Sequence, residues 1–205
     1  MVMLNDKNLA LNYKIILGSQ SPRRSELLSQ LGFSFQQISL NVDESYSNDI
    51  PAEKVAEYLS IKKAKAYKNR ITTGELLITA DTTVCLKNEI LDKPKNSQEA
   101  FEMLTKLSDC THKVITGVCL TSTLNLSSFS VKTLVTFRKL TTEEIHHYIK
   151  NYQPLDKAGA YGIQEWIGSI GVSKIKGSYT NVVGLPLFEL YKEMTSFLGE
   201  EFASI

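Results

Sequence analysis

The 205-residue sequence has few of the features that mark specialised classes of protein. Its three cysteines, Cys85, Cys110 and Cys119, lack CxxC spacing, which excludes a disulfide framework or a cysteine-rich zinc site and indicates reduced core thiols. Lysine and arginine (23 residues) nearly balance aspartate and glutamate (22), and the net charge of +1 argues against nucleic acid as a partner. There is no signal-peptide pattern and no apolar run of membrane-spanning length, so we expect a cytoplasmic protein without a membrane partner.

What is present is the composition of an ordinary globular protein, with 42% hydrophobic and 22% charged residues. Patterns typical of strands and of helices alternate irregularly along the chain. We therefore predict an α/β fold with a mixed sheet flanked by helices, and not a regular doubly wound sheet. The length suits a single domain over residues 1–205, arranged in two lobes.

The most informative segment is Gly18-Ser19-Gln20-Ser21-Pro22-Arg23-Arg24, which lies between an apolar run and a helical pattern. Ser21 is a natural N-cap and Pro22 a natural first helical residue, so both arginines lie in the first turn. The helix dipole disfavours cations there, by roughly 0.3–1 kcal/mol per charge. The arginines are explained if an anion with several oxygens, such as a phosphate chain, binds at the helix start. Two solvated arginines at a helix end are the alternative.

Asp81 interrupts an apolar stretch, residues 76–86, that is rich in strand-forming residues. An ionised carboxylate inside a sheet is costly unless it binds a metal, pairs with a cation or has a shifted pKa suited to proton transfer. An aspartate that caps a turn at a strand end is the alternative. We predict a functional carboxylate at Asp81.

Two further acidic residues, Asp43 and Glu44, precede a polar loop. They could complete a divalent-cation site with Asp81, because Mg²⁺ prefers a few carboxylates together with waters and substrate phosphates. A solvated acidic loop is the alternative.

A long helix is predicted to begin near Pro51. Its apolar stripe is formed by Val55, Leu59 and Ala66, and Lys63 projects within the same stripe at 100° per residue. The spacing therefore predicts an inward-facing lysine.

Several cations near a glycine-rich segment suit a triphosphate. Lys93 precedes Pro94, and Lys157 begins the segment Lys157-Ala158-Gly159-Ala160-Tyr161-Gly162. Gln164 follows two residues later, and its amide is suited either to reading the edge of a base or to an ordinary turn hydrogen bond. Taken singly, each lysine is more often a solvated surface residue.

The three histidines lack metal-ligand spacing and are interpreted as structural or solvated.

These motifs, in this order, resemble the Maf family of nucleoside triphosphate pyrophosphatases. The resemblance implies a fold similar to that of inosine triphosphate pyrophosphatases, with the nucleotide in a cleft between two lobes. It rests on residues 18–24 (GSQSPRR), 80–84 (ADTTV), 93–94 (KP), 116–117 (TG), 157–164 (KAGAYGIQ) and 177–186 (GSYTNVVGLP).

The resemblance also implies roles for particular residues. Asp81 becomes the proton acceptor that activates water, with Lys63 and Lys93 as further catalytic residues. Glu44 and Asp81 are the implied ligands of Mg²⁺ or Mn²⁺, and Glu44 is the better ligand because a carboxylate bound to a metal is a poorer base. Together with the motif reasoning above, the predicted substrate-binding residues are Ser19, Arg23, Arg24, Thr82, Lys157 and Gln164.

Within the family, Arg23, Thr82 and Gln164 occupy the specificity positions of the branch that looks like dTTP/UTP pyrophosphatases. The resemblance thus implies hydrolysis of dTTP, UTP and related modified pyrimidine triphosphates to the monophosphate and pyrophosphate, by a homodimer. The stretch Glu165-Trp166-Ile167-Gly168 after Gln164 varies within the family and could alter base preference.

Two other functions compete with this interpretation. A phosphatase with an aspartyl-phosphate intermediate at Asp81 is disfavoured, because such enzymes carry a second aspartate two residues on, where this chain has Thr83. A non-catalytic nucleotide-binding regulator of cell division would bind without turnover, and the intact set of acid and cations argues against it.

Overall fold

The computed structural model describes residues 13–202, which form one mixed sheet of seven strands flanked by helices. The strands are β1 (Lys14–Gly18), β2 (Phe35–Ile38), β3 (Glu75–Leu86), β4 (Glu89–Leu91), β5 (Thr111–Thr121), β6 (Leu126–Phe137) and β7 (Val172–Lys176). The α-helices are α1 (Pro22–Gln30), α2 (Ala52–Tyr67), α3 (Ser97–Leu107), α4 (Thr142–Tyr152), α5 (Trp166–Gly171), α6 (Tyr179–Val183) and α7 (Leu187–Phe202). Short 3₁₀ helices cover Lys68–Arg70, Pro154–Asp156 and Ala158–Ala160.

The sheet has the order β2-β1-β3-β5-β6-β7, and β4 forms a hairpin with β3. β1 is parallel to both of its neighbours, whereas β5, β6 and β7 continue the sheet in antiparallel pairs. The predicted mixed α/β fold is therefore confirmed. β3 is an inner strand of the sheet and most of its residues are buried, so a charged residue in its interior needs a counter-charge nearby.

The hydrophobic core consists of two main clusters that meet along β3 and β5. One packs α1 and α7 on the sheet, and the other packs α3, α4 and the segment before α5. Representative members of the first are Ile15, Leu28, Ile78 and Leu190, and of the second Val84, Leu104, Val135 and Tyr148. Within residues 13–202, no helix is both long enough and apolar enough to cross a lipid bilayer.

Helix ends follow the local signals with one exception. Ser21 caps α1 with Pro22 at its start, and Thr141 with Glu144 forms a capping box at the start of α4. At α3, Ser97 is also a residue type favoured as a cap, but the cap is Asn96, whose side chain accepts the Glu99 N–H (2.9 Å). An asparagine one residue earlier competes equally well for that role.

The buried face of α2 is also rotated from the predicted stripe. Ala66 is exposed, whereas Ser60 and Ala64 are buried beside Leu59 and Lys63. The prediction was wrong at Ala66, because the sheet buries small polar residues such as Ser60 that hydropathy alone assigns to the surface. Lys63 nevertheless lies on the buried face, as predicted.

Candidate active site

A cleft of about 420 Å³ opens beside the carboxyl end of β1 and the middle of β3. Its walls come from the turn between β1 and α1, from β3, and from the segment between α4 and α5. The structure brings all of the predicted site residues to this cleft: Ser19, Arg23, Arg24, Glu44, Lys63, Asp81, Thr82, Lys93, Lys157 and Gln164.

The turn before α1 is built to present hydrogen-bond donors. The Ser19 hydroxyl accepts the Ser21 N–H (3.2 Å), and the Ser21 hydroxyl accepts the Arg24 N–H (3.4 Å). No acidic residue lies in the first turn of the helix, so the positive end of its dipole is not neutralised within the helix. This end of the cleft is suited to an anion.

Arg24 is anchored inward, in contrast to the solvated arginine that was the alternative. Its guanidinium donates to the Ala80 carbonyl (2.9 Å), the Gly184 carbonyl (2.8 Å) and the Thr82 hydroxyl (3.0 Å). Burial lowers the pKa of Arg24, and the nearby Asp81 carboxylate opposes that shift. Arg24 therefore fixes a positive charge between α1, β3 and the chain after α6.

A chain of alternating charges occupies the middle of the cleft. The Lys63 ammonium donates to Asp81 (2.6 Å) and lies 2.8 Å from a Glu44 oxygen, and the Lys93 ammonium lies 3.7 Å from the other Glu44 oxygen. Asp81 and Lys63 are buried, whereas the side chains of Glu44 and Lys93 are half exposed. Burial opposes the shift, but the hydrogen bond from Lys63 and the charges around it lower the pKa of Glu44. The Asp81 carboxylate thus has a counter-charge on its protein side and the cleft on the other.

Gly117 explains how Lys63 reaches Asp81. Gly117 is the β5 residue paired with Asp81, and α2 lies directly on it. A Cβ atom at this position would come within 2.3 Å of the Glu57 nitrogen and 2.4 Å of the Ala56 carbonyl carbon. The absent side chain allows the backbone of α2 to touch the sheet, which brings Lys63 within hydrogen-bond distance of the strand.

Asp81 is in the interior of β3, so the turn-capping interpretation of this residue is wrong. The expectation that Asp43 joins it also fails in this structure. Asp43 is bound by Ser45 and by the Lys62 ammonium (3.3 Å) and does not line the cleft. Glu44 therefore lines the cleft, whereas its neighbour is held outside it.

The carboxylates of Glu44 and Asp81 are the acidic groups that could hold a metal in the cleft. The described part of the chain contains no cluster of three or more His, Cys, Asp or Glu side chains with metal-binding geometry. Two carboxylates converging on one ammonium, facing a cleft, still fit Mg²⁺ or Mn²⁺, since Mg²⁺ takes one or two carboxylates together with waters and substrate phosphates.

Where the segment between α4 and α5 meets the cleft, a second charge cluster joins the predicted Arg23 and Lys157 to Asp156, which was not predicted from the sequence. Asp156 accepts from Arg23 (2.8 Å) and from Lys157 (2.7 Å), and Lys157 also lies 3.1 Å from Glu165. Burial opposes it, but the hydrogen bonds from Lys157 and Arg23 lower the pKa of Asp156 to about 2. Two cations face two carboxylates, so this cluster has little net charge. The signal for Asp156 was its position directly before the Lys157 motif.

Gln164 and Thr82 complete the cleft. Gln164 is exposed and lines the cleft, between the buried Ile163 and the partly buried Glu165. The Thr82 hydroxyl is engaged by Arg24 and lies 2.9 Å from the Thr116 hydroxyl, which donates to the Asn181 carbonyl (3.0 Å). Thr82 is thereby oriented by two neighbours, whereas the Gln164 amide faces the open cleft.

Fold and cleft together define a class: an α/β protein with a cleft suited to a polyanion beside a buried carboxylate. The family model described as Maf-like protein matches residues 14–197. The chain therefore belongs to the Maf family.

The chain is similar to named proteins over nearly their full length. The chain is 53% identical to the dTTP/UTP pyrophosphatase of Phocaeicola vulgatus over 183 residues, which is 89% of this chain and 95% of that protein. It is 51% identical to the dTTP/UTP pyrophosphatase of Bacteroides thetaiotaomicron, with the same coverage. The protein of that name from Flavobacterium johnsoniae is 43% identical and covers 91% of this chain and 96% of its own.

Among solved structures, the Staphylococcus aureus Ham1 protein is similar at 13% identity with a TM-score of 0.45. The match covers 60% of this chain and 71% of that one.

Proposed function

We propose that this chain hydrolyses dTTP and UTP, and related modified pyrimidine nucleoside triphosphates, to the monophosphate and pyrophosphate. The observation that carries the proposal is the near-complete match, at 43–53% identity, to proteins named dTTP/UTP pyrophosphatase. The cleft supports it, since anion donors, a buried carboxylate and an exposed amide line one cavity.

The proposed chemical step is attack of water at the α-phosphorus, with pyrophosphate as the leaving group. Asp81 accepts the water proton, because its carboxylate faces the cleft and a general base must be within hydrogen-bond reach of the proton it takes. Lys63 holds the Asp81 carboxylate in place through its 2.6 Å contact, which leaves one carboxylate oxygen for the water.

Negative charge builds up on the phosphate chain and must be neutralised. We assign this role to Lys93 and to the turn containing Ser19, Arg23 and Arg24, which line the cleft with cations and N–H donors. Lys157 is already paired with the carboxylates of Asp156 and Glu165, so it contributes little free charge. Its proposed role is to hold those two side chains in place.

Glu44 is the proposed ligand of Mg²⁺ or Mn²⁺, and Asp81 is the weaker second ligand, because ligation would make its carboxylate a poorer base. The metal, when bound, polarises the phosphate and offsets its charge. Glu44 is better suited to ligation than Asp81 because it is more exposed and reaches the cleft from a loop.

The residue assignment is tested with Asp81→Asn. We expect a folded protein whose UTP turnover falls by about 10²–10⁴-fold, the usual effect of losing a general base. Asp43→Asn, next to Glu44 but outside the cleft, is the matched control and should be fully active. Near-normal release of UMP from Asp81→Asn would refute the assignment of the base.

The same assay separates the competing functions. A phosphatase with an aspartyl-phosphate at Asp81 would release inorganic phosphate and leave a phospho-enzyme, and a non-catalytic regulator would release nothing from UTP. Neither has a specific observation in its favour, and Thr83, which is buried, occupies the place of the second aspartate.

The homodimer and the cytoplasmic location are further proposals drawn from the family resemblance and from the cysteine usage. Sedimentation analysis of the purified protein tests the first. A mass of one chain at working concentration would contradict it.

A further inference from the structure

A single phenol holds both ends of the turn that carries Gln164. The Tyr148 hydroxyl accepts the Gly162 N–H (3.0 Å) and donates to the Glu165 carboxylate. The Glu165 N–H in turn donates to the Gly162 carbonyl (3.0 Å), which closes the turn. Gln164 lies between these two anchored residues.

The anchor is rigid because Tyr148 is buried in the second core cluster. Burial and the hydrogen bond to Glu165 raise the pKa of Tyr148, so its hydroxyl keeps the proton that it donates. Tyr148 comes from the middle of α4, whose cap and capping box hold that helix in register. The position of the turn is thus fixed by its contacts with a core residue.

The Glu165 carboxylate uses both of its oxygens. One accepts from Tyr148 and the other lies 3.1 Å from the Lys157 ammonium. Its carboxyl carbon lies over Gly162, where an added Cβ would be 2.8 Å away, so a side chain at position 162 would displace it. Glu165 therefore links the turn to Lys157 at the wall of the cleft.

We propose that Tyr148 and Glu165 are positioning residues that fix the Gly162–Glu165 turn, so that the Gln164 amide is held against the base of the nucleotide. The proposal rests on the proposed function, which supplies the nucleotide. A fixed amide discriminates between bases with different donors and acceptors, because a mismatched partner leaves a polar group unpaired. A mobile amide would adapt to either base and lose that discrimination.

The test compares kcat/KM for UTP with kcat/KM for CTP, because uracil and cytosine carry different hydrogen-bond donors and acceptors on their base-pairing edges. Tyr148→Phe removes the hydroxyl and keeps the ring in the core. Glu165→Leu removes both carboxylate oxygens, so the contacts with Tyr148 and with Lys157 are both lost. We expect each variant to lower the UTP-to-CTP ratio by up to about tenfold, the effect of one hydrogen bond between uncharged groups.

The decisive readout is the coupling to Gln164. In a Gln164→Ala background, Tyr148→Phe should leave the UTP-to-CTP ratio unchanged, because the amide it positions is gone. Tyr152→Phe, on the same helix but more exposed, is the matched control and should behave as wild type in every background. A positioning role predicts a rise in KM for UTP with little change in kcat.

Two results would overturn the proposal while leaving the proposed function intact: a wild-type UTP-to-CTP ratio in Tyr148→Phe, or an effect of Tyr148→Phe that is equally large without the Gln164 amide. Failure of the wild-type protein to convert UTP to UMP and pyrophosphate would instead overturn the function, and the positioning roles with it.

Discussion

Gly117→Ala is expected to damage stability and catalysis together. The added Cβ would lie 2.3 Å from the Glu57 nitrogen, whereas atoms in contact need about 3.5 Å, so α2 must retreat by about 1 Å. Overpacking of this kind costs about 3 kcal/mol when the obstructing atoms are backbone, which corresponds to a melting temperature lower by about 6–12 °C in a chain of this size.

The same displacement carries Lys63 away from Asp81, because Lys63 is on the helix that moves. A misplacement of about 1 Å at a catalytic group lowers turnover by about 100-fold. Thermal unfolding and UTP hydrolysis measure the two effects. Gly199→Ala is the matched control, since nothing lies within 4 Å of its added Cβ, and it should match or exceed the wild-type stability. A Gly117→Ala protein with wild-type melting temperature and turnover would refute the reasoning.

Three further predictions follow from the same geometry. Burial lowers the pKa of His112 to about 4, so between pH 6.5 and 4 the unfolded chain binds a proton that the folded chain does not. The free energy of unfolding should therefore fall by about 3 kcal/mol as the pH is lowered through that window. Urea titrations at several pH values measure this dependence, and His112→Gln should lack it. Arg23→Ala should change the preference among nucleotides as well as the rate, measured on a panel of triphosphates, and a uniform loss would make Arg23 a plain phosphate clamp. Removal of divalent metal by chelation should abolish UTP turnover, and added Mg²⁺ or Mn²⁺ should restore it; unchanged activity in chelator would exclude the metal.

Features that depend on neighbouring residues could be predicted from the sequence. Spacing within a single helix is enough to indicate the N-cap at Ser21, the capping box of Thr141 and Glu144, and the inward direction of Lys63. The irregular alternation of elements likewise predicted the mixed sheet.

Features that depend on distant residues could not be predicted. The contact of Arg23 with Asp156 joins residues 133 positions apart, and no local pattern encodes it. The contact between the Tyr148 hydroxyl and Gly162 has no local signal either, because hydropathy describes the ring of a tyrosine and not its hydroxyl. The rotation of α2 has the same origin: the contact at Gly117, on another element, decides which side of the helix touches the sheet.

The central claim is that water attacks the α-phosphorus of a pyrimidine triphosphate in this cleft. Hydrolysis of UTP in ¹⁸O-labelled water, with the products analysed by mass spectrometry, tests it most directly. The account predicts UMP that carries one ¹⁸O atom and pyrophosphate that carries none. Label in the pyrophosphate, or release of UDP and inorganic phosphate, would contradict it.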